Sequence, residues 1–275
     1  MAFGKVARAD NSNLPQLKIL VVDDDDLNRR MMQILLTREG HHVDLATNGM
    51  EALDTVKYHK FDIVFMDLQM PTMDGVEASR RIREWENGGA HTYIVALTAS
   101  YLPEEGHSLF EAGIDNYIAK PFEVEHINRM LNYISKTTQP LPTQLSSLPG
   151  IPSLNSDILD TQKGTQRVGG DSEVYKELLG DFVQELSKRV ETLERYARER
   201  NQKALSLEAH NLKGVSANLG ALELAEYVSK LDKECKEGYT HLNQDLFLEL
   251  KKVEENLRKI ATDFLAKKET TVVQP

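Results

Sequence analysis

Cysteine is nearly absent from this 275-residue chain. The single Cys235 excludes an internal disulfide framework and a cysteine-rich zinc site. Long apolar runs are missing too, because no stretch approaches the ~20 residues that a membrane-spanning helix needs. The N-terminus also lacks the apolar core of a secretory signal. Basic residues are in deficit, and the formal net charge of −10 argues against broad nucleic-acid binding through phosphate contacts. We therefore expect a cytoplasmic protein that neither inserts into a membrane nor binds nucleic acid.

The length of the chain favours two domains rather than one. Four of the nine prolines lie in residues 136–155, where no charge follows the first residue, so we interpret this stretch as an extended linker. It separates a predicted domain over residues 17–135 from a second one over residues 156–269. Residues 1–16 and 270–275 are predicted to be flexible ends.

Short apolar runs alternate with amphipathic stretches through the first domain. The runs have the length and the β-branched content of strands that are covered on both faces. They occupy residues 17–22, 42–46, 61–66, 93–97 and 116–119. The helical patterns occupy residues 27–39, 50–58, 76–85, 104–112 and 124–135. Five such units predict an α/β doubly wound domain with a parallel sheet, in which ligands bind beyond the carboxyl ends of the strands.

Polar side chains lie at the ends of four of these strands. Four aspartates at residues 23–26 follow the first strand, Asp67 follows the third, Thr98 ends the fourth and Lys120 ends the fifth. Each feature alone has an ordinary explanation, since aspartates near a helix start usually cap the helix and a Lys-Pro pair is a common turn. Together they predict a site where carboxylates bind Mg²⁺. Such a site suits phosphoryl transfer, because a metal and a lysine neutralise phosphoryl oxygens while a carboxylate attacks phosphorus.

Residues 17–135 resemble a response-regulator receiver domain of the CheY type. Four motifs carry the resemblance: ILVVDD (19–24), FDIVFMDLQMPTMDG (61–75), ALTA (96–99) and YIAKPF (117–122). The resemblance implies a (βα)5 flavodoxin-like fold with Asp67 as the phospho-acceptor. The implied Mg²⁺ ligands are Asp24, Asp67 and the backbone carbonyl of Gln69, with Asp23 acting through water and through Lys120. Thr98 and Lys120 would bind the phosphoryl oxygens.

The same resemblance implies how phosphorylation is reported. Thr98 and Tyr117 would form the switch pair that signals to the surface of the fourth helix, fifth strand and fifth helix. Gly75 would permit the turn after the acceptor, and the Lys120–Pro121 peptide should be cis. Receivers of hybrid kinases often have asparagine where this chain has Asp25, which adds negative charge beside the metal without changing the expected chemistry.

The second domain is predicted to be all-α, an antiparallel four-helix bundle. Apolar residues recur at helical spacing in two stripes. The stripes comprise Leu178, Leu179, Phe182, Val183, Leu186, Val190 and Leu193, and then Leu205, Ala209, Leu212, Ser216 and Leu219. Two more helices are predicted over residues 222–235 and 246–265, and Asp171 and Ser172 can cap the first long helix.

A histidine lies opposite the second stripe. On a helical wheel, His210 is roughly 140° from the stripe, so we expect it to face solvent. A lone exposed histidine is usually a solvated surface residue. Lys213 and Gly214, however, lie one turn away on the same face, together with an apolar Leu207. The lysine can offset phosphoryl charge and the glycine lets another protein approach, which favours a nucleophilic imidazole.

Residues 156–266 resemble a histidine-containing phosphotransfer (HPt) domain. The motifs are AHNLKGVSANLGA (209–221) and GGDSEVYKELL (169–179). The resemblance implies that His210 is the phospho-acceptor. The implied supporting residues are Lys213, Gly214, Asn218 and, on the next helix and oriented toward the histidine, Asp232. The candidate docking-face residues are Leu207, Asn211 and Ala217.

The combination predicts a phosphorelay protein whose partners are a sensor or hybrid histidine kinase and a downstream response regulator. The sequence has no Gly-rich phosphate loop, so we expect a phosphotransfer protein without an ATP site and not a kinase by itself. An alternative is a phosphorylation-gated interaction switch whose helical domain is a docking module without relay from Asp67. A further alternative is that the bundle mainly dimerises. The direction of phosphoryl flow, and whether Asp67 and His210 exchange directly, stay open at this point.

Overall fold

The computed structural model describes residues 15–89, 91–98, 105–136, 158–237 and 244–266. Within these residues the N-terminal domain alternates five strands with five helices. The strands are β1 (Lys18–Val22), β2 (His42–Ala46), β3 (Ile63–Asp67), β4 (Tyr93–Thr98) and β5 (Asn116–Ala119). The helices are α1 (Asp26–Arg38), α2 (Gly49–Tyr58), α3 (Gly75–Glu86), α4 (Glu105–Glu111) and α5 (Val124–Lys136). The predicted α/β fold is confirmed, although Asp67 is the last residue of β3 and does not follow the strand.

The sheet is parallel throughout and has the strand order β2-β1-β3-β4-β5. Its interior strands β1, β3 and β4 are almost entirely buried, which explains why their sequences read as continuous apolar runs. Val22 pairs with Met66, so the chain leaves β1 beside Asp67. The strand order reverses at β1 and β3, and the polar strand ends therefore meet at the crevice where such sheets bind ligands.

The C-terminal domain is helical, as predicted. Its described helices are α6 (Thr161–Arg167), α7 (Ser172–Arg198), α8 (Gln202–Asn218), α9 (Leu222–Lys236) and α10 (Gln244–Ala266). The apolar stripes of α7 to α10 meet in one buried cluster. Asp171 caps α7, because its carboxylate accepts hydrogen bonds from the N–H groups of Glu173 and Val174.

The short helix α6 was not predicted from the sequence. It is polar throughout and has no apolar period, so the pattern that revealed the other helices is missing. The carboxylate of Asp160 caps it by accepting from the Lys163 N–H at 2.9 Å. Gly164 lets the helix lie against Tyr175, since a Cβ atom there would be 2.4 Å from the tyrosine ring.

The two domains pack against each other through α1. This helix lies against α7 and α8, and its Leu27 and Met31 belong to the buried apolar cluster of the helical bundle. The predicted linker beyond residue 136 and the predicted flexible end at 270–275 lie outside the described residues, as do residues 1–14. None of the helices in the described part combines the length and apolar character that crossing a membrane requires.

Candidate functional site: a carboxylate and lysine cluster facing a histidine

Lys120 joins two buried carboxylates at the crevice of the sheet. Its Nζ lies 2.6 Å from Oδ2 of Asp67 and 2.7 Å from Oδ2 of Asp23, and all three side chains are almost fully buried. Burial alone would lower the pKa of Lys120, but the two adjacent carboxylates outweigh it and raise that pKa. The lysine is therefore a permanent cation held beside Asp67.

The carboxylates of Asp23, Asp24 and Asp67 form a set of oxygens suited to a divalent cation. One oxygen of each lies within 4.8 Å of the others. Burial is the main cause that raises the pKa of Asp23 to about 7 and that of Asp24 to about 6. Oδ1 of Asp24 is buried with no hydrogen-bond partner among the described residues. Hard oxygen donors at this spacing fit Mg²⁺, which takes few protein carboxylates. Gln69 lies next to the cluster and donates its backbone N–H to Oδ1 of Asp67 at 3.2 Å.

The other predicted residues of the first domain surround this cluster. Thr98 ends β4 and Tyr117 lies in β5, and both are buried. The Lys120–Pro121 peptide is cis, as expected. Gly75 is required for a reason other than the predicted turn: a Cβ atom there would lie 2.1 Å from the carbonyl oxygen of Asp67. Glycine therefore lets α3 begin directly against Asp67.

His210 does not face solvent, and that expectation is wrong. Its relative exposure is 3% because the N-terminal domain covers the face of α8 that carries it. The wheel correctly separates His210 from the apolar stripe, but it contains no information about a second domain lying on that face. Neither ring nitrogen has a hydrogen-bond partner among the described residues.

The charges around His210 keep its ring neutral. Burial lowers the pKa of His210 to about 2, and the positive charges of Lys120, Lys236 and Lys213 act in the same direction. Lys120 also lies close to Gly214, one turn along α8 from His210, since a Cβ atom on Gly214 would be 3.6 Å from Cδ of Lys120. The lysine that is paired with Asp67 therefore also acts electrostatically on the histidine.

Asp232 lies beside the histidine, where the sequence placed it. Its Oδ2 is 4.0 Å from Nδ1 of His210. The carboxylate is fixed by Ser206, whose hydroxyl donates to Oδ1 at 2.6 Å, and by Lys236, whose Nζ is 2.7 Å from Oδ2. Lys213 is half-buried on α8, and burial lowers its pKa.

Two of the remaining predicted residues of α8, Asn211 and Asn218, contact the N-terminal domain. Nδ2 of Asn211 donates to Oδ2 of Asp24 at 2.7 Å, and Nδ2 of Asn218 donates to Oδ1 of Asn28 at 3.0 Å. Leu207 is half-buried and Ala217 is buried. Asn211, predicted as a docking residue, thus bonds to a carboxylate of the acidic cluster itself.

Comparison with protein families identifies both halves of the chain. The model of the response regulator receiver domain matches residues 19–132, and the model of the Hpt domain matches residues 177–260. This chain joins a receiver domain to an HPt domain. The first match contains the residues of the acidic crevice, Asp23, Asp24, Asp67, Thr98 and Lys120, and the second contains His210.

Two histidine kinases are similar to this chain over most of its length. The sensor histidine kinase GacS of Pseudomonas protegens is 30% identical over 234 residues, which are 83% of this chain and 24% of the relative. The signal transduction histidine-protein kinase BarA of Shigella flexneri is 27% identical over 92% of this chain and 27% of the relative. The chain thus spans about a quarter of each. A solved receiver domain of the sensor histidine kinase PA1611 from Pseudomonas aeruginosa, with magnesium coordinated in its active site cleft, is 32% identical. It covers 45% of this chain and 100% of its own, with a TM-score of 0.41.

Several charged residues that join the receiver to the HPt domain were missed from the sequence. The pairs are Arg189 with Asp25, Arg30 with Asp181 and Glu177, Arg38 with Asp171, and Arg167 with Glu123. Charged residues on the polar faces of helices read as solvated, and no period in the sequence marks those that meet another domain. Asp25 caps α1, as expected. Its second contact, with Arg189, could not be predicted because no pattern in the sequence indicates it.

Proposed function

We propose that this chain is a phosphorelay protein in which Asp67 and His210 exchange a phosphoryl group directly. The observation that carries the proposal is the burial of His210, with both ring nitrogens unpartnered, where the charge of Lys120 acts on the ring. Because Nζ of Lys120 is 2.6 Å from Oδ2 of Asp67, one cation acts on both proposed acceptors. A buried polar ring without a partner is costly, and a functional role explains its retention.

In the transfer from Asp67 to His210, a lone pair of the neutral imidazole attacks phosphorus. The N–P bond forms as the O–P bond of the acyl phosphate breaks, and the bonding pair returns to the Asp67 carboxylate. Asp232 lies on the Nδ1 side, so it favours the tautomer with the proton on Nδ1 and leaves Nε2 as the nucleophile. Lys120 and Thr98 bind the phosphoryl oxygens, and Lys213 offsets the charge of the phosphohistidine.

The acidic crevice fits Mg²⁺, and we propose Asp24, Asp67 and the backbone carbonyl of Gln69 as its ligands. Asp23 acts through water and through Lys120. Support comes from the orphaned Oδ1 of Asp24 and the close set of three carboxylates. When bound, the ion neutralises charge on the phosphoryl oxygens.

A histidine kinase is the proposed source of phosphoryl groups for Asp67, and a separate response regulator is the proposed partner of His210 in a cytoplasmic setting. Thr98 and Tyr117 are the proposed switch pair. The alternative of an interaction switch without relay leaves the position of His210 beside Lys120 unexplained. No contact of the described residues favours it.

The test follows phosphate on both acceptors. The full chain is treated with acetyl phosphate and Mg²⁺, and intact mass and acid stability of the phosphate are compared for wild type, Asp67→Asn and His210→Gln. Asp44→Asn, at an exposed position of β2, is the matched control. We expect acid-labile, base-stable phosphate on His210 that disappears in Asp67→Asn and when Mg²⁺ is chelated.

Dilution separates exchange within one chain from exchange between chains. A first-order rate that does not change with protein concentration supports transfer within the docked chain. Phosphate confined to Asp67, with an unlabelled His210, would overturn the proposal.

A further inference from the structure

Arg189, in the middle of α7, links the two domains at the edge of the acidic crevice. Its Nη1 lies 2.7 Å from Oδ2 of Asp25, and its Nε lies 2.8 Å from Oε1 of Glu208 on the neighbouring helix α8. The side chains of Arg189 and Asp25 are only 13% and 7% exposed. In each of the other interdomain ion pairs the acidic side chain is at least 35% exposed. The Arg189–Asp25 pair is therefore the one that solvent screens least among these.

The two carboxylate oxygens of Asp25 bind different partners. Oδ1 accepts hydrogen bonds from the N–H groups of Leu27 and Asn28 and caps α1. Oδ2 faces Arg189. An asparagine at this position would cap α1 equally well. Its remaining amide group, however, would present N–H donors and no charge to a guanidinium that can only donate.

Glu208 holds Arg189 in place from within the HPt domain. Since this contact does not involve the receiver, the guanidinium is oriented before docking and loses little freedom on meeting Asp25. A receiver without a carboxylate at the position of Asp25 would bury Nη1 of Arg189 without a hydrogen-bond acceptor. The free energy of docking would therefore be less favourable for that receiver.

We propose that Arg189 is a specificity determinant that selects receivers carrying an acidic residue at the position of Asp25, this chain's own receiver among them. The inference rests on the proposed relay between Asp67 and His210. Arg189 touches neither acceptor, so it acts by positioning the receiver and not by chemistry.

The test measures selectivity between full-length chains. Donor chains carry His210→Gln, Arg189→Gln, so that their own HPt domain does not discriminate, and either Asp25 or Asp25→Asn; they are loaded with acetyl phosphate and desalted. Acceptor chains carry Asp67→Asn and either Arg189 or Arg189→Gln. The quantity compared is the ratio of initial transfer rates from the two donors at low donor concentration, normalised to donor loading. The acceptor's own receiver competes equally against both donors and cancels in this ratio.

With Arg189 in the acceptor, we expect the Asp25 donor to transfer at least about tenfold faster than the Asn donor, because lost pairing of this kind is worth about 1.4 kcal/mol or more. With Arg189→Gln, the ratio should approach one. Lys188→Gln is the matched control, since it removes an exposed positive charge from the neighbouring position and should keep the preference. Circular dichroism checks that each variant folds. Arg189→Lys keeps the positive charge but loses the planar guanidinium that can bind Asp25 and Glu208 together, so it should give an intermediate ratio.

A ratio that is the same for Arg189 and Arg189→Gln acceptors would overturn the specificity inference while leaving the relay intact. So would a preference that Lys188→Gln abolishes equally, because general electrostatics would then explain it. Absence of transfer in every combination would overturn the specificity inference if the wild-type chain still labels its own His210, and would refute the proposed relay only if the wild-type chain does not.

Discussion

Gly214 sets how closely the HPt domain approaches the receiver. A Cβ atom at this position would lie 3.6 Å from both Nδ2 of Asn28 and Cδ of Lys120, which is ordinary van der Waals contact. Alanine therefore fits without displacing either group, and it removes the helix penalty of glycine, about 1 kcal/mol. A longer side chain has no room beyond that first carbon. We expect Gly214→Ala to be more stable than wild type and to keep transfer, whereas Gly214→Gln separates the domains.

The size of the second effect follows from overpacking, which costs about 1–3 kcal/mol in close-packed contacts. That cost lowers the docked fraction, and with it the rate of transfer from Asp67 to His210, by roughly fivefold to more than a hundredfold. Single-turnover transfer after loading with acetyl phosphate measures the rate, and thermal unfolding measures stability. Gly180→Ala in α7 is the control, since its Cβ would lie 3.9 Å from Leu265 of the same domain. It should raise stability similarly without changing transfer.

Two results would refute this reasoning. If Gly214→Ala abolished transfer, the receiver would approach more closely than the 3.6 Å contacts allow. If Gly214→Gln transferred at the wild-type rate while folded, the domains would not meet on this face during transfer. A loss of transfer in Gly180→Ala would show that helix stiffness, and not the contact with Lys120, controls the rate.

Two further perturbations address His210 itself. Burial lowers the pKa of His210 from 6.5 to about 2, and the receiver's Lys120 acts in the same direction, so the neutral ring favours the docked state. Docking should therefore weaken as the pH falls below 6.5, by at most about tenfold per pH unit. Small-angle scattering measures the docked fraction at each pH. The raised pKa values of Asp23 and Asp24 act in the opposite direction, but they do so in wild type and in His210→Gln alike, so the difference between these two proteins isolates the effect of His210. An identical pH profile for the two proteins would contradict the prediction. Asp232→Asn should slow transfer to His210 at least about tenfold through lost orientation while Asp67 is phosphorylated normally. Equal transfer rates would show that Asp232 does not hold the ring.

The receiver crevice could be predicted from the sequence because each part of it has a local signal. Buried parallel strands read as apolar runs, and the polar residues that end them, such as Thr98 and Lys120, stand out against those runs. The order of the strands then brings these ends together. The register between Val22 and Met66 is what turns separate aspartates into one cluster, and it follows from the topology that such units adopt.

The surroundings of His210 could be predicted only in part. The period of 3.6 residues correctly assigned it to the polar side of α8, and Gly214 and Leu207 correctly marked a face that something approaches. What approaches is the chain's own receiver, and an amphipathic pattern cannot distinguish solvent from a second domain. Arg189 shows the same limit: a charged residue next to the exposed Lys188 on α7 is interpreted as a surface residue until its partner Asp25 is known.

The charges at this interface favour a histidine as the second acceptor of the proposed relay. Lys120 is a permanent cation between two carboxylates, and any second cation placed against it without water would be repelled. A lysine nucleophile at position 210 would therefore have to lose its proton on docking, at a cost set by its ordinary pKa near 10.4. An imidazole is already neutral at physiological pH and keeps a lone pair for phosphorus. In the proposed relay, the lysine beside Asp67 thus requires a neutral acceptor, and His210 satisfies that requirement while remaining nucleophilic.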